Sequence, residues 1–194
     1  YNIELGLTKI FSHLAEFSAV GYYTYLDNAL VRRDFTLNGM DSIMYNGEMS
    51  QVQAIQNAAF ATIYGVELGL NLNFLENFNL RSSFSYQKGE EEDDAGNKVP
   101  LRHAAPWFGK TEFIFMMNRL EANLYMVYNG EIKNEDLAPS EQEKDYIYAM
   151  DESGNPYQPS WYTLNLKISY QLLDNFELYL GVENITDQRY RPCS

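Results

Sequence analysis

Two histidines, His13 and His103, one cysteine, Cys193, and an acidic run, Glu90, Glu91, Glu92, Asp93 and Asp94, are the residues of this 194-residue sequence best suited to chemistry. Acid–base or nucleophilic catalysis needs a base within hydrogen-bond reach of its partner. His13 falls in a brief turn, and a serine–histidine pairing would require the serines between Ser82 and Ser85 to meet His103, with nothing in the spacing to bring them together. No enzyme is expected. One cysteine excludes an internal disulfide and a paired-cysteine metal site, so no metal ligands and no cofactor are assigned. The acidic run is expected to be a solvated loop tip, with divalent-ion binding as the alternative.

Binding chemistry is better represented. Arg32 and Arg33 are adjacent cations in an acidic segment and suit an anion, although pairing within the loop to Asp27 or Asp34 is the expected state. His103, beside Arg102 and ahead of Trp107, is a candidate for haem iron, with a structural role preferred. Tyr146 and Tyr148 could stack on an aromatic ligand or belong to a folded hairpin. Arg32, Arg33, His103, Trp107, Tyr146 and Tyr148 form the candidate ligand-binding set.

Composition narrows the classes further. A formal charge of -13 argues against nucleic acid, because phosphate binding needs clustered Lys and Arg. A hydrophobic content of 45% excludes an intrinsically disordered chain. No run approaches the roughly 18 apolar residues of a spanning helix and no leader is visible, so membrane residence would require strands. Tyr1 begins almost inside a periodic segment and Ser194 ends in a loop-like run, which suggests a piece of something larger. The 16 tyrosines favour an interface where one end of a side chain is wet.

Positioning falls to strands, since period-two alternation recurs eight times and helical periodicity is nowhere convincing. The first strand spans about Asn2 to Phe11, with Ile3, Leu5, Leu7 and Phe11 on one face and Lys9 near its end, where its stem can snorkel. The second, about Phe17 to Leu26, leaves its phase open, because Val20, Tyr22 and Leu26 alternate with Ala19, Tyr23 and Tyr25. The third, Thr62 to Phe74, is clean, and the fourth sets Phe78, Leu80, Phe84 and Tyr86 against Arg81, Ser83, Ser85 and Gln87, Ser82 being the polar interruption. Trp107 to Met117 and Leu120 to Tyr128 follow, and the stretch from Leu164 to Asn184 supplies the last two. Lys167 and Glu177 are expected on the polar face.

Brief turns near His13, Glu76, Asn118 and Asp174 alternate with long segments at 27–57, 89–105 and 131–160, which hold 17 of the 27 acids and 6 of the 14 basic residues. An antiparallel meander with short turns at one end and long loops at the other is the habit of bacterial outer-membrane barrels. Alternation alone also fits a soluble sandwich. The rows, however, give strands of roughly 9 to 11 residues, enough for a tilted strand to cross about 30 Å of hydrocarbon. They end in Phe11, Phe74, Phe78, Phe115 and Phe176 by the brief turns, and in Tyr64, Tyr86, Trp107, Tyr128 and Tyr162 by the long segments, which makes two girdles. Lipid is therefore the expected solvent of the apolar face, and the acids Glu112 and Glu121 are expected to line a wet lumen. The mean hydropathy of -0.40 agrees, because half of each strand and every loop is wet.

Three stretches carry a family likeness. "LYLGVENITDQRYRP" (178–192), "RRDFTLNGMDSIMYNGEMSQVQAIQNAAFATIYGVEL" (32–68) and "VPLRHAAPWFGKTEF" (99–113) resemble the C-terminal barrel of TonB-dependent outer-membrane receptors. The resemblance implies an all-β chain, residues 1–194, supplying about eight meander strands of a roughly 22-stranded transmembrane barrel, with its N-terminal plug, TonB box and last strand elsewhere. It also implies the bacterial outer membrane, contact with lipid and lipopolysaccharide, coupling to the TonB complex through the absent N-terminal region, and uptake of an iron-siderophore or cobalamin-like ligand. In this setting Arg32 and Arg33 would meet an anionic siderophore or a lipopolysaccharide phosphate. A small structural or adhesion barrel and a secreted carbohydrate-binding sandwich stand as alternatives.

Overall fold

The computed structural model describes residues 1–93, 96–102, 104–142 and 146–190, and of residues 29–32, 56–59 and 140 the backbone alone. The described strands are β1 (Asn2–Phe11), β2 (Ala15–Asp34), β3 (Ser42–Tyr45), β4 (Glu48–Gln51), β5 (Gln53–Leu75), β6 (Phe78–Glu92), β7 (Lys98–Pro100), β8 (Trp107–Met117), β9 (Leu120–Asn129), β10 (Ala149–Met150), β11 (Pro156–Tyr157), β12 (Trp161–Leu173) and β13 (Phe176–Val182). Eight of them form one antiparallel meander in the order β1-β2-β5-β6-β8-β9-β12-β13, with β7 added beside β6. The pairs β3–β4 and β10–β11 are separate hairpins within the long connections. No helix among the described residues is long and apolar enough to cross a membrane.

The eight strands and the four brief turns stand where the alternation puts them. Their lengths differ from expectation at the long-loop end. β2 and β5 run 20 and 23 residues and pair with each other up to Asp34 and Gln53. Beyond the roughly 9 to 11 residues needed to cross hydrocarbon, both faces of a strand meet water and alternation no longer marks it, so pairing continues where the pattern has faded. A register shift between Leu26 and Ala29, with Asn28 at φ +55°, marks the change. The acidic run is likewise no simple loop tip: Glu90, Glu91 and Glu92 continue β6 and pair with Pro100, Val99 and Lys98.

Directly opposed residues of paired strands point to the same side, so the register phases the second strand. Ile3, Leu5 and Leu7 oppose Tyr23, Gly21 and Ala19, which oppose Tyr64, Val66 and Leu68. Ala19 and Tyr23 therefore join the apolar face, while Val20 and Tyr22 belong to the polar one. One apolar row then crosses the sheet through Leu72, Leu80, Phe113, Leu124, Leu166 and Val182. Ser82 and Thr111 oppose each other on this face, and their hydroxyls are 2.9 Å apart. Each thus answers the other's hydrogen-bonding need where no water is at hand.

Two tyrosines show why glycine recurs within the strands. Tyr22 opposes Gly65 on the polar face and Tyr128 opposes Gly109 on the apolar face. A Cβ on Gly65 would meet the Tyr22 hydroxyl and the Tyr86 carbonyl oxygen, and one on Gly109 the Tyr128 hydroxyl and the Ser83 carbonyl oxygen. Each ring lies across the bare backbone opposite it, a cross-strand packing that pins register.

Exposure is inverted relative to a water-soluble sheet. On interior strands, apolar Val66, Phe113 and Leu124 remain 40%, 39% and 41% exposed, whereas Asn79, Thr163 and Asn165 on the polar face are 4%, 6% and 5% exposed. The large sheet is a single layer among the described residues; its element contacts join neighbouring strands, and no second sheet covers Leu166, Ile168, Leu178 or Leu180. A sandwich would need that second layer.

Candidate ligand-binding surface

The apolar face ends in aromatic clusters at both levels. By the brief turns, Phe78 lies 4.8 Å from Phe115 and 5.4 Å from Phe113, centroid to centroid, and Phe74 joins both Phe78 and Phe113. By the long loops, Tyr86 opposes Trp107, Tyr128 opposes Tyr162, and the Trp107 and Tyr128 rings are 6.1 Å apart. Trp107 thus belongs to the girdle on the apolar face, at the edge of a groove of about 490 Å³ floored by Thr111 and Met126. Such rings settle at a headgroup level.

Above the girdle the long loops build a small core of their own. Val99, Ala105, Ile132, Leu137 and Ala138 are buried there, joining the β6–β8 connection to the β9–β12 connection. Tyr148 donates its hydroxyl to Glu141 at 2.7 Å, and Glu141 is 2% exposed, so Tyr148 is a structural strut of the folded loop. Tyr146 lies 77% exposed. A cleft of about 360 Å³ opens between the two loops, lined in part by Lys88, Lys98, Glu90 and Glu135.

Arg33 corrects an expectation. Its guanidinium donates to Glu92 at 2.7 Å and to the Asp93 carbonyl at 3.0 Å, reaching the second loop instead of Asp27 or Asp34 in its own. The reason is the long pairing of β2, β5 and β6, which carries Arg33 up to the acidic run; Asp34 meanwhile accepts from Gln53. Glu91 is held by Arg102. The side chain of Arg32 and the whole of His103 lie outside the described residues. The four described candidates do not converge: Trp107 faces the apolar side, Tyr148 is inside a loop, Arg33 ties two loops and Tyr146 stands on a third.

A recurrent turn orders two loop tips. Asp93 Oδ1 accepts from the Asn97 backbone N–H and Oδ2 from its side-chain amide; Asp151 does the same with Asn155 and also accepts from the Ser153 N–H. The Asn155 backbone N–H, with the other donors, holds the Asp151 carboxyl below the usual carboxylate range. The signal was present in sequence, as Asp-x-x-Gly-Asn occurs at 93–97 and 151–155.

The polar face carries chemistry outside the candidate set. Lys110, Glu112, Tyr125, Asn123 and Lys167 meet mid-strand, placed by the registers Glu112–Tyr125–Asn165 and Ile114–Asn123–Lys167. Lys110 lies 2.7 Å from Glu112, which also accepts from Asn123 at 3.0 Å. The ammonium groups of Lys110 and Lys167 sit 4.8 and 5.7 Å from the Tyr125 ring centroid. Strand parity was the available signal, since these residues occupy the polar phase. Among the described residues no group of three His, Cys, Asp or Glu side chains is arranged to hold a metal ion.

Comparison with known proteins bears on this architecture. The family model described as "TonB dependent receptor-like, beta-barrel" matches residues 1–185. No curated protein sequence matches the chain. Among solved structures, the chain is similar to the copper transporter OprC, with a TM-score of 0.69 and 16% identity, covering 99% of this chain and 26% of that one. It is similar to the siderophore receptor PirA from Acinetobacter baumannii (TM-score 0.68, 19% identity, 96% and 27% covered). It also resembles the FrpB iron transporter from Neisseria meningitidis (TM-score 0.69, 15% identity, 98% and 26% covered). At these identities the likeness is one of fold, and the chain spans about a quarter of each.

Proposed function

The chain belongs to the TonB-dependent receptor β-barrel family, and from that premise we propose that it forms part of the wall of a bacterial outer-membrane active transporter energised through TonB. The members of that family are transporters and receptors, not enzymes. The observation that carries the reading is the inverted sheet: apolar residues stand open on one face and polar residues are tucked into the other, which is stable only with hydrocarbon outside and a wet or protein-filled lumen inside. The whole receptor would take up a scarce nutrient, an iron-siderophore or cobalamin-like complex. Two structural neighbours, a siderophore receptor and an iron transporter, support that class.

Ligand contact would come from the long loops. Tyr146 is the described aromatic candidate open to a ligand, while Arg33 would act by fixing the first loop to the second. Outer-leaflet lipopolysaccharide would lie against the Tyr86, Trp107, Tyr128 and Tyr162 girdle. The test is uptake by the full-length receptor expressed in an indicator strain lacking its own receptors, offered a panel of ferric siderophores and cobalamin, with and without functional TonB. Uptake of one class that disappears without TonB is expected. Failure of every ligand, with the receptor folded in the outer membrane, would sink the transport reading.

A further inference from the structure

Three of the chain's seven methionines, Met40, Met44 and Met49, fall within ten residues of the first long connection. Packing does not account for them: they are 53%, 65% and 66% exposed, where an apolar side chain gains little. The hairpin of β3 and β4 puts two of them together. Asn46 and Gly47, at φ +50° and +89°, make the turn that a two-residue hairpin needs, and Met44 then opposes Met49. Further down the same ladder the Val52 N–H bonds to the Asp41 carbonyl. Hydrogen-bonded and non-hydrogen-bonded pairs alternate along an antiparallel ladder, so Met44 and Met49 are a non-hydrogen-bonded pair, the kind with Cα atoms about 4.5 Å apart and side chains closest.

The chemistry of that face is narrow. Beside the two thioethers it carries Ser42 and Gln51, which oppose each other; Glu48 opposes Tyr45 on the other face, with Ile43 and Ser50. Calcium, magnesium and manganese need carboxylate, carbonyl or water oxygens, whereas a thioether selects a soft ion such as copper(I). Asp27, Asp34, Asp41 and Glu48 outnumber Arg32 and Arg33 in this connection, which draws cations towards it. The position suits capture from outside: the β2–β5 ribbon ends at Asp34 and Gln53, and the Phe35 N–H, bonded to the Val52 carbonyl, joins the hairpin to its far end.

We propose that Met44 and Met49 form a binding site for a soft monovalent metal ion, copper(I), held between their two sulfurs at the tip of the first loop. The site stands on the hairpin itself; its use in uptake rests on the transport reading. Binding leaves the ion's oxidation state unchanged and displaces only water. Two thioethers open to solvent hold the ion loosely enough to pass it on, and the turn at Asn46 and Gly47 keeps them opposed before it arrives.

The test uses silver(I), a redox-inert analogue of copper(I), with the full-length receptor in chloride-free detergent solution. Peroxide oxidation of each methionine is followed by peptide mass spectrometry. Silver at about ten times its dissociation constant leaves roughly a tenth of the site free, so oxidation of Met44 and Met49 should slow about tenfold while Met116, Met117 and Met126 in the wall keep their rates. Calcium and manganese should protect neither. Met44→Leu/Met49→Leu, which keeps size and apolarity, should bind one silver ion fewer per receptor by elemental analysis. Unchanged oxidation of Met44 and Met49 under silver overturns the proposal without recourse to a variant. So does equal protection by manganese, or an undiminished silver content in the folded double variant. Siderophore and cobalamin uptake by the unsubstituted receptor reports on the transport reading separately.

Discussion

Phe84 and Ser85 are neighbours in β6 on opposite faces, and replacing each with arginine measures which solvent touches which face. Phe84 opposes Leu68 and Gly109 on the apolar side; Ser85 opposes Glu67 and Phe108 on the polar side. Phe84 stands mid-strand, six residues above Phe78 of the lower girdle and two below Tyr86 of the upper one, so an arginine there enters the upper hydrocarbon. Arginine on a lipid face costs about 2 to 4 kcal/mol at the midplane and less towards the interface. Loss of the phenylalanine adds roughly 1.5 to 3 kcal/mol of transfer energy. Phe84→Arg should therefore destabilise the full-length receptor by about 3 to 5 kcal/mol, two to four orders of magnitude in its folding equilibrium. Ser85→Arg, placed opposite Glu67, should change it by less than about 1 kcal/mol, as an ion pair on a wet wall does. Urea-driven folding into lipid vesicles, followed by tryptophan fluorescence and by the mobility of unheated samples in detergent gels, reads both values. Equal costs, or a larger cost at Ser85, would refute the assignment of hydrocarbon to the Phe84 face.

Gly65→Ala should lose about 1 to 3 kcal/mol in the same assay, because its methyl would press on the Tyr86 backbone carbonyl, which paired strands cannot move aside. Tyr148→Phe removes a 2.7 Å hydrogen bond from the buried Glu141 carboxylate and should cost the β9–β12 loop about 1 to 3 kcal/mol, seen as faster proteolysis within 131–160 and unchanged barrel mobility. Arg33→Ala should loosen the first and second loops together, raising hydrogen exchange in 35–52 and 93–97 without touching the strands below. The Asp151 carboxyl is depressed in the folded loop, so the stabilisation it lends is whole above the ordinary carboxylate pKa of 3.8 and fades as pH falls through its lower folded value. Exchange of the 149–157 peptide should accordingly accelerate only at strongly acidic pH, and Asp151→Asn should remove that dependence.

Sequence by itself determined the inverted wall. Side-chain period two is a property of the extended backbone, so Leu164, Leu166 and Ile168 had to share one face and Lys167 the other wherever the strand lay. The aromatic ends of the rows, the four brief turns and the family likeness at Tyr64, Gly65 and Glu67 were legible for the same local reason. Tertiary structure decided what depends on pairing. The second strand could not be phased alone because both of its faces carry tyrosine and apolar residues; only opposition to Ile3 and Tyr64 assigns Tyr23 to the apolar side. Arg33 had acids near it in the chain, yet the extra length of β2 and β5 in water takes it to Glu92. Tyr148 looked like Tyr146 in sequence, and a loop core separates them into a strut and an exposed ring. Lys110, Tyr125 and Lys167 are far apart in the chain, and cross-strand register alone brings them together, since a ladder fixes neighbours that no sequence spacing records.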